Sequence, residues 1–445
     1  MKTKILYLFS LLCLVLASCN DDDDPVVVLS QTQFEVPCEG GTYRVDVSSL
    51  AKWSAKSAHA DWLVVSNSGK AGDTQLVVEV EGNLQAESRT GQVEIAANGE
   101  VHQVSFTQQG KPAGDELKYR VPLIFHVLYH DPANPGQNIP TERIYEVLNQ
   151  VNQMYEANGI KLEFVLATTD PQGNLLKEAG IERVHWPASS IDPRLVMEGT
   201  DREFMHLLWE PADYVNVLLY NFSIQNILGI STFPLTPKSH PLEGTESVDN
   251  LNLNLSNLTK MRCVSLNSSW MMAVGSDPLA KYIPADLLRR QTDSAITLAH
   301  ELGHYFGLRH VFSESMQGAC VDTDFCKDTP SYNKSTDYDQ YLQMIWSEQQ
   351  FNPNFDNEFK WEDVFKRSSC KDGSDFVSHN IMDYSYSYLD EFTADQRARM
   401  RHVLDYSPLI PGPKQTRAHL TRSVEGPVDL PHEIVVCELP MFPMK

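Results

Sequence analysis

His300, Glu301, His304, Gly307 and His310 fall within the eleven residues HELGHYFGLRH. On a helix of 3.6 residues per turn, side chains four apart stand one above the other, so the imidazoles of His300 and His304 can reach one metal ion. Glu301 stands beside them, too short to be a ligand, where its carboxylate can take a proton from a water on that ion. Gly307 has no Cβ and can adopt positive φ, which would turn the chain so that His310 returns to the metal from outside the helix. Three nitrogen ligands with one position left open for water is the donor set of a catalytic zinc. The competing reading is a helix with scattered surface histidines. Against it, Ala295, Leu298, Ala299, Leu302 and Phe306 run as an apolar stripe through the same segment, and Asp293 sits where it can cap the start.

A second string, Asn380-Ile381-Met382-Asp383-Tyr384, lies downstream. Read alone it is an ordinary turn with a core methionine. Together with HExxHxxGxxH it resembles the metzincin metallopeptidases, whose second signature is a methionine-containing turn beneath the zinc. The resemblance implies that Met382 forms an apolar floor under the imidazoles, and that the Tyr384 phenol stands near the developing oxyanion of a substrate carbonyl. Val311, after the third histidine, is not the acidic, serine or proline residue typical of the adamalysin, astacin, matrixin and serralysin branches. The closer likeness is to the pappalysins, on Phe312, on Cys320 to Pro330 (CVDTDFCKDTP) and on the N-x-M-D-Y turn. It runs approximately from Tyr119 to Pro411, with its motifs confined to His300 onward. The sequence departs from the family at Ser385 to Leu389 (SYSYL), where acidic residues are absent until Asp390 and Glu391. A preference for cutting beside arginine is therefore not carried over.

The acidic loop contains Asp322, Asp324 and Asp328. Alternating carboxylates offer the hard oxygen ligands that calcium prefers, and pappalysin-like enzymes hold calcium in this region, so Ca2+ joins Zn2+ as a candidate cofactor. A solvated acidic loop without metal explains the same residues.

Lys2 and Lys4 precede an apolar run from Ile5 to Ala17 that ends in Leu16-Ala17-Ser18-Cys19. The run is too short for a stable membrane span. Residues 1–18 read as a signal peptide, and the resemblance to bacterial lipoproteins implies cleavage before Cys19 and lipidation of its thiol, with residues 19–25 as an acidic tether. Asn20 followed by Asp21 to Asp24 resembles the export signal of surface-displayed lipoproteins. The expected location is the outer membrane, facing outward, with the lipid anchor as the only membrane contact. A net charge of −23 would repel phosphate backbones, so no nucleic-acid partner is expected.

Of eight cysteines, Cys13 lies in the signal and Cys19 at the anchor. The rest, Cys38, Cys263, Cys320, Cys326, Cys370 and Cys437, suggest disulfides outside the cytoplasm, with connectivity left open. At least one bridge is expected among Cys320, Cys326 and Cys370, between the zinc helix and the methionine turn. Cys38 is a second idea: its thiolate could block the zinc in a latent form, as happens in metzincin zymogens.

The elements that must position these residues form a multidomain chain. Residues 26–110 consist of short β-rich stretches (Thr42 to Val47, Gln75 to Val80, Gly91 to Ala96, Val101 to Thr107) separated by glycine-containing turns, which predicts a small antiparallel Ig-like β-sandwich. Asp61-Trp62-Leu63, Arg89-Thr90-Gly91 and Phe106 to Gly110 resemble BACON domains of bacterial surface proteins. This part reads first as a spacer; Trp53 and Trp62 either stack on carbohydrate or mucin glycans or pack inside. Residues 111–116 are a linker. Residues 117–412 are expected to form an α+β catalytic domain of the metzincin (zincin) type, opening with a strand at Arg120 to Tyr129, a helix at Thr141 to Asn158, and strands at Lys161 to Leu166 and Tyr214 to Tyr220. Leu228 to Pro234 resembles the cleft-lining edge strand of that clan, to which an extended peptide can add as a further strand, or else is a plain hairpin strand. Residues 413–445 are a tail without evident chemistry, in which Val424 to Pro440 could add a strand.

The reading that follows is a zinc endopeptidase acting on protein or peptide substrates. Its alternative is a surface protein whose protease fold binds peptides or glycoproteins with little hydrolysis.

Overall fold

The structure, a computed structural model, describes residues 27–439 apart from 61, 67, 114–115, 200–202, 250, 273–278, 315–319, 385, 413–421 and 424–425. The signal segment, the acidic tether and Cys19 lie outside the described residues, as does most of the stretch between Gly412 and Gly426.

The N-terminal region is all β. One sheet contains Val27–Leu29, Gly41–Ser49, Gly72–Val80 and Leu63–Val65; the other contains Gln33–Val36, Glu100–Gln108, Arg89–Ala97, Trp53–Ser57 and Ser68–Gly69. Strict alternation of inward and outward residues along Arg89–Ala97 supplies one buried face. The hairpin into Glu100–Gln108 turns on Asn98 and Gly99, both at positive φ (49° and 87°), the backbone that Asn-Gly turns favour. One pair departs from the expected antiparallel order, since Gln33–Val36 runs parallel to Glu100–Gln108. Trp53 and Trp62 are both core residues. The Trp53 indole N–H donates to Thr74 Oγ1 at 2.8 Å, and the Arg89 guanidinium covers Trp62 at 4.2 Å from the ring centre. Neither indole face is free to stack on a sugar, so these two tryptophans do not supply a carbohydrate contact; burying so large an apolar surface favours the packed state.

The remainder is mixed α/β. Its sheet is built from β1 (Tyr119–Tyr129), β2 (Leu162–Leu166), β3 (Ile181–His185), β4 (Val215–Tyr220), β5 (Ile227–Thr232), β6 (Val264–Asn267) and β7 (Ile434–Glu438). The strand order is β2-β1-β4-β6-β5-β7, with β3 also pairing to β1. β1 runs parallel to β2, β3 and β4, and β4 parallel to β6, whereas β5 is antiparallel to both β6 and β7. Helix α1 (Thr141–Ala157) buries Ile144, Val147, Leu148, Val151 and Tyr155 at helical spacing. It packs against α2 (Ser294–Tyr305), where Tyr155 OH donates to Ala299 O at 3.1 Å. The strongly apolar β4 and β5 are buried at every position, as strands covered on both faces must be.

The two regions touch. Arg120 Nη2 donates to Thr42 Oγ1 at 3.3 Å, Thr168 Oγ1 donates to Glu79 Oε1 at 3.0 Å, and Cys38 joins the larger core cluster with Leu117. Among the described residues no helix is long and apolar enough to cross a membrane.

Candidate active site

Helix α2 starts where Asp293 accepts hydrogen bonds from Ala295 N and Ile296 N at 2.8 and 3.3 Å. Such a cap satisfies amides that have no partner within the helix. Its apolar stripe and both histidines are buried. The helix ends at Gly307, whose φ of 88° permits Leu308 N to reach back to Gly303 O at 2.9 Å. The reversal brings His310 to the helical pair. The ring nitrogens converge: His304 Nε2 lies 3.0 Å from His300 Nε2 and 3.1 Å from His310 Nε2.

The opposite ring nitrogens explain this orientation. His300 Nδ1 donates to Ile381 O and His304 Nδ1 to Leu308 O, both at 2.7 Å, while His310 Nδ1 donates to the Glu314 carboxylate at 2.5 Å. Each Nδ1 therefore carries the proton, and each Nε2 lone pair faces the other two. Burial pushes the His300 imidazole down to about 4 and holds His304 and His310 well below the ordinary histidine range. Three neutral, inward-facing nitrogens without protons form a cation site, and these residues fit a zinc ion.

Glu301 is fully buried and neither carboxylate oxygen has a hydrogen-bond partner. Burial without compensation pushes its carboxyl well above the usual range. Its room comes from β5, where a Cβ on Gly229 would lie 2.6 Å from Glu301 Cγ. Gly303 plays the corresponding part beneath the helix, since a Cβ there would lie 2.5 Å from Met382 Sδ. Both glycines were passed over in the sequence because the contacts that require them are formed by residues far along the chain.

The Asn380–Tyr384 turn is tightly held. Asn380 Oδ1 accepts from Met382 N at 2.9 Å and its amide exchanges hydrogen bonds with Gln396. Asp383 accepts from Tyr332 OH at 2.6 Å and pairs with Arg367 at 3.4 Å. The turn presents Ile381 O to His300 and places Met382, entirely buried, against α2 at Gly303. The Tyr384 ring lies 4.6 Å from that of His310, and its hydroxyl donates to Val436 O on β7.

Cys320 and Cys370 form the disulfide expected between helix and turn, while Cys38, Cys263, Cys326 and Cys437 are free and buried. The even set thus yields one bridge among the described residues. Cys38 sits beside Leu117 in the core and is not among the residues grouped around the histidines, so it is not placed to block them. Among the described residues, the carboxylates of Asp322, Asp324 and Asp328 do not converge as a set of three ligand atoms. Asp322 accepts from Asp324 N, Asp324 from Cys326 N and Thr329 OH, and Asp328 from Asp395 N, so these carboxylates tie the loop together as turn and capping groups. Burial pushes the Asp324 carboxyl up to about 7.

The tail contains the residue that sequence reasoning missed. Cys437 on β7 offers its sulfur within 4.8 Å of ligand atoms of both His300 and Glu301. Only a cysteine within an apolar run, Ile434 to Val436, hinted at it.

Residues 268–405 match the family described as pregnancy-associated plasma protein-A, and residues 27–111 match the one described as viral BACON domain. An extracellular metalloprotease of Arthroderma otae is 26% identical over 267 residues, covering 59% of this chain and 70% of the relative. One from Arthroderma benhamiae gives 26% over the same length and the same coverage. A further extracellular metalloprotease of Arthroderma benhamiae is 31% identical over 117 residues, covering 24% and 29%. Together with the histidine cluster, these matches define a metallopeptidase. Residues 268–405 thus carry the likeness to the pappalysin-like metalloendopeptidases, and the N-terminal region carries the likeness to a BACON domain.

Proposed function

We propose that the protein is a zinc-dependent endopeptidase of metzincin architecture, carried on the bacterial surface by a lipid at Cys19, which hydrolyses internal peptide bonds of extracellular proteins. The observation that carries this reading is the convergence of three deprotonated Nε2 atoms beside a buried carboxylate without partners. His300, His304 and His310 would hold the ion. Bound there, zinc polarises a carbonyl and lowers the pKa of water toward neutrality. Glu301 is the base that removes a proton from the attacking water and delivers it to the leaving amine; its buried, unpartnered carboxylate oxygens are free to take that proton. Tyr384 supplies an O–H donor for the charge that develops on the carbonyl oxygen. Met382 keeps the floor under the imidazoles apolar and fixes their height. β5 carries main-chain groups of the kind an extended substrate pairs with, a mode of binding that tolerates many sequences, although in this structure β6 and β7 take both of its edges.

The test is cleavage of an unfolded protein substrate, with the cut sites mapped by mass spectrometry. Internal cuts that stop on chelation and return with zinc are expected; cleavage indifferent to chelation overturns the reading. The anchor is tested separately by fatty-acid labelling, which Cys19→Ala should abolish together with membrane retention.

A further inference from the structure

We propose that β7 is a built-in occupant of the peptide groove and that Cys437 is a fourth ligand to the metal, so that the full chain is latent until this strand is displaced. The inference rests on the metallopeptidase reading above and identifies how that site is controlled.

A strand in a sheet has two edges. β6 covers one edge of β5, and β7 covers the other, in antiparallel register from Thr232 opposite Ile434 to Ile227 opposite Glu438. The pairing continues at both ends, where Phe233 N donates to Glu433 O at 2.9 Å and Leu439 N to Asn226 O at 2.8 Å. No main-chain edge of β5 is left for a peptide to add to, so tail and substrate compete for the same hydrogen bonds. Side chains hold the tail as well: Arg309 makes a two-pronged pair with Glu433 at 2.8 and 3.0 Å, and Arg194 pairs with Glu438 at 2.9 Å.

The register decides what the tail presents. Cys437 is opposite Gly229, and cross-strand partners share a face of the sheet. That face is the one on which Glu301 fills the space a Gly229 side chain would take. The thiol is accordingly buried, with His300 and the orphaned Glu301 carboxylate as its neighbours, in a potential ligand set that shares His300 with the imidazole trio. One residue earlier, Val436 O accepts the Tyr384 hydroxyl proposed to serve a substrate carbonyl. The tail thus puts a soft metal ligand and a peptide carbonyl where a substrate would place its reacting bond. Cysteine binds zinc as the thiolate, releasing its proton, and three imidazoles with one thiolate make a closed donor set with no position left for water. A strand tethered to its own groove acts at an effective concentration on the order of millimolar, enough to exclude most substrates.

The experiment loads the full-length protein with cobalt(II) in place of zinc and compares it with Cys437→Ser. Wild type is expected to show the near-ultraviolet thiolate-to-cobalt absorption; the variant should bind one equivalent of cobalt without it. With zinc, Cys437→Ser should cleave peptides at least about tenfold faster than wild type, because the position the thiolate closes is then open to water even while β7 still competes for the groove. Iodoacetamide supplies an independent readout, with Cys437 protected in the metal-loaded protein and alkylated after chelation. A wild type that binds cobalt yet lacks the sulfur band, or that cleaves as fast as Cys437→Ser, overturns the latency proposal and leaves the peptidase reading standing. Failure of both proteins to bind metal at all sinks the peptidase reading instead.

Discussion

The BACON domain and the catalytic cleft treat buried polar atoms in opposite ways. Among the described residues of the sandwich, no buried side-chain nitrogen or oxygen is without a partner, and even the Trp53 indole is satisfied by Thr74. In the cleft, Glu301 is fully buried with both oxygens unpartnered, and three imidazoles turn bare nitrogens toward one another. An unmade hydrogen bond in the interior costs about 1–3 kcal/mol, so such groups persist where something else will meet them. The unpartnered carboxylate and the converging imidazoles of the cleft fit a site that meets a cation and water.

The sharpest way to break this contrast is to remove the open groups. Glu301→Gln is expected to keep its metal and lose peptidase turnover by ~10²–10⁴-fold, whereas His304→Ala should lose both. Metal content and the rate on a fluorogenic peptide measure this, and a Glu301→Gln enzyme with undiminished turnover refutes the assigned role. The matching test in the sandwich is Trp53→Ala, expected to cost about 3–5 kcal/mol of that domain's stability while leaving kcat/KM per folded molecule unchanged. Thermal unfolding followed with kinetics decides; a specific loss of kcat/KM would show that the sandwich takes part in the site. Gly229→Ala tests how closely the open carboxylate is placed. The added methyl would push against Glu301, with turnover down on the order of 10- to 100-fold and metal retained.

The smallest effect belongs to a partnered carboxylate inside the catalytic region. Glu178 is held by hydrogen bonds from Arg183 and Thr141, and the Arg183 bond in particular pushes its carboxyl down to about 2 from an ordinary 4.5. A carboxyl more acidic in the folded state than in the unfolded one stabilises above pH 4.5, and this contribution is lost as pH falls toward 2. Glu178→Gln should therefore cost about 1 kcal/mol at pH 7 and nothing near pH 2, read from urea midpoints across that range.

Much of this was legible beforehand because it is local. The His300–His310 spacing, the Asp293 cap and the Gly307 reversal each depend on residues within a few positions, and the helix period carries that information directly. The helix Thr141–Ala157 and the Asn-Gly hairpin were readable for the same reason. The Cys320–Cys370 bridge was narrowed to three cysteines but not chosen among them, since loop geometry is not written in spacing. The acidic loop was ambiguous: alternating aspartates look alike whether they bind a cation or cap their own backbone, and here backbone amides fold against them. The tryptophans were ambiguous in the same way, because stacking on sugar and packing in a core ask for the same side chain.

The tail shows the limit most plainly. Nothing within a few residues of Cys437 refers to Glu301 or His300, more than a hundred positions earlier. Their meeting depends on strand register, in which a slip of one residue would turn the thiol to the other face of the sheet. The sequence by itself determined which atoms could bind a metal, through a helical repeat that acts over one turn. Only the tertiary structure decided what lies across the groove, because the partner of an edge strand is set by long-range pairing that no local pattern encodes.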